Sequence, residues 1–205
     1  NKPILSIFNK QRISGGRTKP LEIFTKKKDI TAQIKKRIQD VLKMKTSRRK
    51  AVVFDIDDTL IEDNQIKNDP NIPHVRSIYR YLANINTGIP KNQHIYLYIV
   101  TARKQNYLRE TIEDLNKKGF IERKHQHSSR QLPYDKLYLR PENMESSTFK
   151  KSIRSRIGRH HDLLLTAGDQ WWDHVNDDVS YMSNLTSNLD AKYGNRDMLL
   201  YLLST

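Results

Sequence analysis

The sequence predicts an α/β domain with a parallel sheet of about five strands and helices on both faces. Three observations predict it. Short apolar runs of strand length alternate with helix-length stretches, the first run ends abruptly in carboxylates, and polar groups follow the later runs. The first run, residues 51–55, reads Ala-Val-Val-Phe-Asp, a β-branched run that suits a strand buried on both faces. Residues 74–85 then read as a helix and 95–100 as the second strand. Residues 104–118 read as a helix closed by Gly119, since glycine suits the left-handed turn at a helix end. Residues 136–139 are the third strand, 147–157 a helix, 162–167 the fourth strand, 175–189 a helix and 198–203 the fifth strand. Such alternation implies right-handed crossovers between parallel strands, a Rossmann-like arrangement. It places a site beyond the carboxyl ends of the strands.

The net charge of +14 divides unevenly along the 205 residues. Residues 1–50 carry 16 Lys and Arg against Glu22, Asp29 and Asp40, a net +13, whereas residues 51–205 carry 21 against 20, a net +1. The chain therefore reads as a basic N-terminal segment, 1–50, followed by a domain over 51–205. Within the segment, Ile30, Ile34, Ile38, Val41 and Leu42 recur at helical spacing, which predicts an amphipathic helix over about 29–45. Two similar phrases, Lys-Pro-Ile-Leu-Ser-Ile-Phe from Lys2 and Lys-Pro-Leu-Glu-Ile-Phe from Lys19, read as docking segments or as chance repeats. Zero cysteines exclude disulfides, thiolate nucleophiles and Cys-ligated zinc. No apolar run approaches the roughly 18 residues that span a membrane, and no signal peptide is visible. A soluble protein of intracellular or virion location is the expectation; the high Asn, Lys and Ile content resembles that of AT-rich genomes, including those of large DNA viruses.

Carboxylates at the end of a buried strand require compensation, and a metal ion is the natural candidate. The residues at the later strand ends form a consistent set with them. Asp55, Asp57 and Thr59 follow the first strand, and Thr101-Ala102-Arg103 follows the second. Lys150 and Lys151 lie on the third helix of the domain, and Gly168-Asp169 and Asp173 follow the fourth strand. This ordered series resembles the four motifs of the haloacid dehalogenase (HAD) superfamily of phosphohydrolases. Asp55-Ile56-Asp57-Asp58-Thr59 matches its Asp-x-Asp-x-Thr form, and Gly168 to Asp173 its Gly-Asp-x-x-x-Asp form. The phrases around Phe54, Phe149-Lys150 and Gly168-Asp169-Gln170-Trp171 look most like the branch holding class B and plant vegetative-storage-type acid phosphatases. The resemblance covers residues 51–205 and implies a HAD-like phosphatase.

Hydrolysis of a phosphate monoester needs a nucleophile, neutralisation of the phosphoryl oxygens and a proton for the leaving alkoxide. The resemblance implies Asp55 as nucleophile, forming an aspartyl-phosphate, and Asp57 as acid and base. A hard, all-oxygen site suits Mg²⁺. Asp55, the backbone carbonyl of Asp57 and Asp169 are its expected ligands, with Asp173 acting through water. Thr59, Thr101, Arg103 and Lys150 are the expected phosphate-binding residues. Thr59 also reads as a residue that shapes the turn, and Arg103 as a surface arginine. Of Lys150 and Lys151, adjacent on one helix, only one can face the site, and the Phe-Lys phrase favours Lys150. A calcium loop over residues 57–63 lacks the glycine and closing glutamate that an EF-hand needs. Trp171 and Trp172 suit a platform or packing under the loop, His160-His161 a connector, and Asn184-Leu185-Thr186 is a sequon of the kind that also arises by chance.

The intervals from Thr59 to Thr101 and from Thr101 to Lys150 are filled by predicted core elements, so no large cap domain fits. Only the polar stretch 61–73 reads as a flap. An open site suits bulky substrates such as a protein or a nucleic-acid end, and the basic residues 1–50 suit nucleic acid or another polyanion. The alternative reading is a non-catalytic protein of this fold, such as a virion component, that uses its basic arm to hold nucleic acid.

Overall fold

The computed structural model describes residues 31–43, 48–62, 72–90, 93–174 and 200–203. Residues 1–30 with both repeated phrases, most of the 61–73 stretch, the expected helix over 175–189 and the Asn184 sequon lie outside the described residues. Helix α1 (Thr31–Lys43) precedes β1 (Arg49–Phe54), α2 (Ile72–Ile85), β2 (Ile95–Lys104) and α3 (Leu108–Lys117). Then come β3 (Phe120–Glu122), β4 (Leu132–Tyr134), β5 (Lys136–Arg140), α4 (Ser146–His160), β6 (His161–Gly168) and β7 (Leu200–Leu203).

The main sheet has the order β5-β2-β1-β6-β7. Its first four strands are parallel, as the alternation predicts, and helices cover both faces. The fifth strand corrects the expectation of an all-parallel sheet, because β7 runs antiparallel to β6 with Leu165 opposite Leu203. Strand direction depends on the path of the preceding connection, which an apolar run of four residues does not encode.

Side chains of a strand alternate between faces, and here both faces are buried. Val52 and Phe54 of β1 point with Leu97, Ile99 and Leu165 into a core closed by Val75, Ile78, Tyr79 and Leu82 of α2. Ala51, Val53, Tyr98 and Val100 point the other way, onto Phe149, Ile153 and Ile157 of α4. That is why the first run reads as continuously apolar instead of alternating. Helix α1 packs on α2, and its Ile34 and Ile38 are 0% and 1% exposed within the larger core. The change of charge at residue 50 is therefore not a boundary of packing.

Two features have no signal in the sequence reading. The short strands β3 and β4 pair parallel beside the main sheet, and the Tyr79 hydroxyl donates to the Pro133 carbonyl at 2.9 Å to hold them. Asp135 accepts from the backbone N–H of Leu97 at 2.7 Å and from Arg123 at 2.6 and 3.1 Å, tying this pair to β2. Three-residue strands are too short for a period-2 pattern to be read. Gly119, with φ at 85°, closes α3 as expected. No helix among the described residues is long and apolar enough to cross a membrane.

Candidate active site

Asp55 is the first residue past β1, and the parallel register sets Phe54 beside Ala167, so the ends of β1 and β6 meet. The Asp55 N–H donates to the Ala167 carbonyl at 2.9 Å, fixing the side chain at the junction. The chain then turns tightly. The N–H groups of Thr59, Leu60 and Ile61 all converge on the Ile56 carbonyl, and Asp58 N–H donates to the Ile61 carbonyl. Asp58 adopts φ of 53°, a left-handed conformation that a short polar side chain tolerates. Ile56 and Leu60 anchor the turn at 0% exposure. Thr59 is equally buried and its hydroxyl has no hydrogen-bond partner among the described residues, so it sits beneath the turn rather than on its surface.

Beyond β6 the chain reverses in a second tight turn. Asp173 N–H donates to the Gln170 carbonyl at 3.0 Å, and Gln170 N–H donates back to Asp173 Oδ2 at 3.1 Å. A Cβ on Gly168 would overlap the Asp173 carboxylate, which explains a glycine there. Single carboxylate oxygens of Asp55, Asp169 and Asp173 lie within 4.8 Å of one another. From α4, the buried Lys150 brings its ammonium to 2.9 Å from Asp55 Oδ1 and 2.5 Å from Asp173 Oδ1. Lys151 is exposed, so the step of about 100° between adjacent helix positions decides between the two lysines.

The electrostatics follow from burial. Asp55 is pushed well above the usual carboxylate range by desolvation, which Lys150 opposes and the charges of Asp173 and Asp169 reinforce. The contact with Lys150 is an ion pair without the directed geometry of a hydrogen bond, leaving Asp55 Oδ1 with unused acceptor capacity. Asp169 is pushed up to about 6 by burial and by Asp173, with its Oδ2 accepting from Gln170 at 2.5 Å. Burial alone would lower Lys150, but Asp173 and Asp55 outweigh it and hold the ammonium above its ordinary value. Buried, oxygen-only donors with excess negative charge fit a hard divalent cation such as Mg²⁺.

Asp57 stands apart from this group. Its carboxylate, 40% exposed, is held by Arg103, which also donates to Asp114 of α3. Burial works against the Arg103 charge, but hydrogen bonds and attraction from Asp57 and Asp114 raise its pKa. Thr101 is fully buried, and its hydroxyl accepts from the Arg103 N–H at 3.1 Å. The structure thus brings Asp55, Lys150, Asp169 and Asp173 together and sets Asp57 and Arg103 as a pair beside Thr101.

Three further residues support the site without a motif to mark them. Arg140 donates to the Ala102 carbonyl at 2.9 Å and the Met144 carbonyl at 2.6 Å, bracing the end of β2 against the start of α4. Arg154, 2% exposed, lies one turn past Lys150; burial lowers its pKa to about 10, which Asp173 opposes. His174 Nε2 lies 3.2 Å from the Gly168 carbonyl and so carries the proton, leaving Nδ1 to accept from the Thr166 hydroxyl at 2.7 Å. Burial holds this ring neutral, with its pKa lowered to about 4. Its only sequence signal is that it follows Asp173 directly. The chain matches no family model and no curated protein.

Proposed function

We propose that this protein is a Mg²⁺-dependent phosphomonoester hydrolase of the HAD kind, acting through an aspartyl-phosphate on Asp55. The observation that carries the reading is the convergence of Asp55, Asp169 and Asp173 with Lys150 at adjoining strand ends. The Asp55 carboxylate attacks phosphorus and the P–O bond to the alcohol breaks, the departing alkoxide taking a proton from Asp57. Asp57 then takes a proton from water, whose oxygen attacks the aspartyl-phosphate, releasing inorganic phosphate and restoring Asp55. Lys150 and Thr101 would hold the phosphoryl oxygens. Asp55, Asp169 and Asp173 would hold Mg²⁺, which supplies charge neutralisation between the anionic nucleophile and the anionic phosphate.

Among the described residues, the stretches joining these positions form core elements, which supports an open site and a bulky phosphorylated substrate. The net +13 of residues 1–50 supports a nucleic acid or other polyanion as partner. Since Ile34 and Ile38 are core residues, a test of the basic segment must stop short of α1 and remove only residues 1–30. That truncation should keep turnover and lose salt-sensitive DNA binding.

The test of the enzyme reading is Mg²⁺-dependent phosphate release from an aryl phosphate, then from nucleotides, phosphorylated oligonucleotides, phosphopeptides and sugar phosphates. Turnover that falls at least ~10³-fold in Asp55→Asn supports it. No turnover on any of these substrates sinks it.

A further inference from the structure

A second charged cluster lies at the other end of the sheet. Arg49 opens β1, Arg156 and Arg159 lie on the last turns of α4, and with Tyr98 and Tyr138 they line a cleft of about 730 Å³. Along β1, six strand residues at about 3.3 Å each set Arg49 roughly 20 Å from Asp55.

Structural duties account for only part of this charge. Arg48 is spoken for: it donates to the Gly158 and His161 carbonyls at the end of α4 and pairs with Asp162 at 3.5 Å. Cations are expected there, because the exposed carbonyls of a helix end carry partial negative charge. Arg49 lies over the Tyr96 ring at 5.7 Å and pairs with no carboxylate among the described residues. Arg156 and Arg159 are exposed and make no hydrogen bond or ion pair among the described residues. His160 adds an imidazole to the lining.

Arginine presents planar paired donors that match phosphate oxygens, and three of them around one concavity exceed what a single carboxylate needs. Two tyrosines also line it, Tyr98 buried in the core behind and Tyr138 partly exposed. Tyr98 and Tyr138 pack with ring centroids 6.1 Å apart, and Tyr98 meets the His161 ring edge-on at 5.6 Å. A cleft of this volume falls in the ordinary range for small-molecule sites, roughly 300–1,000 Å³. Phosphate-matching cations in one cleft with the partly exposed Tyr138 ring suit a ligand with phosphates at one end and a flat ring at the other.

We propose that this cleft is a nucleotide-binding site, distinct from the carboxylate cluster, with phosphates on Arg49, Arg156 and Arg159 and the base against Tyr138. The nucleotide is either free or a unit of a single strand, and the chemistry of recognition is the same. The site stands whether or not Asp55 is a nucleophile.

The test titrates the full chain, in EDTA to withhold divalent cations from the carboxylates, with a fluorescent ADP analogue and a labelled oligothymidylate, read by anisotropy. Arg156→Ala combined with Arg159→Ala should weaken binding at least ~10-fold. A control of equal charge change, Lys151→Ala with Arg130→Ala, should stay within ~2-fold. Unlabelled ADP should displace the probe at lower concentration than pyrophosphate, and Tyr138→Ala should abolish that preference. A loss in the Arg156/Arg159 variant confined to ADP assigns the free nucleotide, and an equal loss for the oligonucleotide assigns the strand. Undiminished binding in the Arg156/Arg159 variant, an equal loss in the control, or equal competition by pyrophosphate overturns the proposal.

Discussion

The Arg103 guanidinium grips both carboxylate oxygens of Asp57, with Nε 3.1 Å from each and Nη2 2.7 Å from Oδ1. Its remaining nitrogen donates to Asp114 at 2.9 Å, so Asp57 is tied through Arg103 to α3. Oδ1 accepts two of these bonds and Oδ2 one, so the half-exposed Asp57 carboxylate keeps room for a proton while Arg103 holds it in place. Arg103 then acts as a positioning residue. Arg103→Ala should lower kcat ~10²-fold with KM for an aryl phosphate within ~3-fold, and Arg103→Lys should recover part of the loss. A loss carried by KM instead would put Arg103 on the substrate phosphate.

Lys150 is the sole ammonium within ion-pair distance of Asp55 and Asp173 among the described residues. Removing it leaves buried carboxylates facing each other. Lys150→Ala should destabilise the fold by ~3–5 kcal/mol, as expected when one partner of a buried pair is lost. The exposed Lys151→Ala should leave the denaturant midpoint unchanged. Saturating Mg²⁺ should restore part of the Lys150→Ala loss, which chemical denaturation with and without EDTA measures directly.

Gly168 is in contact with the Asp173 carboxylate, and an added methyl has no room there. Gly168→Ala should cost ~1–3 kcal/mol, the range for overpacking, and should weaken Mg²⁺ binding by displacing Asp173. Calorimetric titration of Mg²⁺ checks this. Wild-type affinity in Gly168→Ala would remove Asp173 from the ligand set.

The Tyr98 phenol is pushed up to about 12, first by burial and then by Tyr138 and Asp135. A folded pKa above the unfolded value of about 10 means a stabilising contribution present below pH 10 and lost as pH rises towards 12. Tyr79 and Tyr134 are raised as well, again chiefly by burial. Titration of the ten tyrosines by ultraviolet absorbance should therefore be staggered, with a late step that shrinks in Tyr98→Phe. One uniform transition near pH 10 would contradict this.

Much of the architecture was legible because it rests on local pattern. Apolar runs buried on both faces marked the four parallel strands, and carboxylates at the end of such a run marked a place where charge must be compensated. The position of Asp55, Asp169 and Asp173 at predicted strand ends, and the family resemblance that adds Lys150, already pointed to one site. The basic segment was legible as charge alone, and that hid the role of Ile34 and Ile38 in the core.

What tertiary structure decided is everything that depends on where distant side chains meet. The antiparallel direction of β7 and the β3-β4 pair follow from chain path, not composition. Arg103 and Asp57, 46 residues apart, are as compatible with two separate substrate contacts as with one ion pair until their positions are known. Helix phase buried Lys150 and exposed Lys151. The arginine cleft draws on β1, β2, β5 and α4, so no window of sequence contains it. Sequence determines which groups require compensation, since desolvation follows from burial of a polar residue in an apolar run. Only the folded chain determines which partner supplies it, because that depends on approach within a few ångströms.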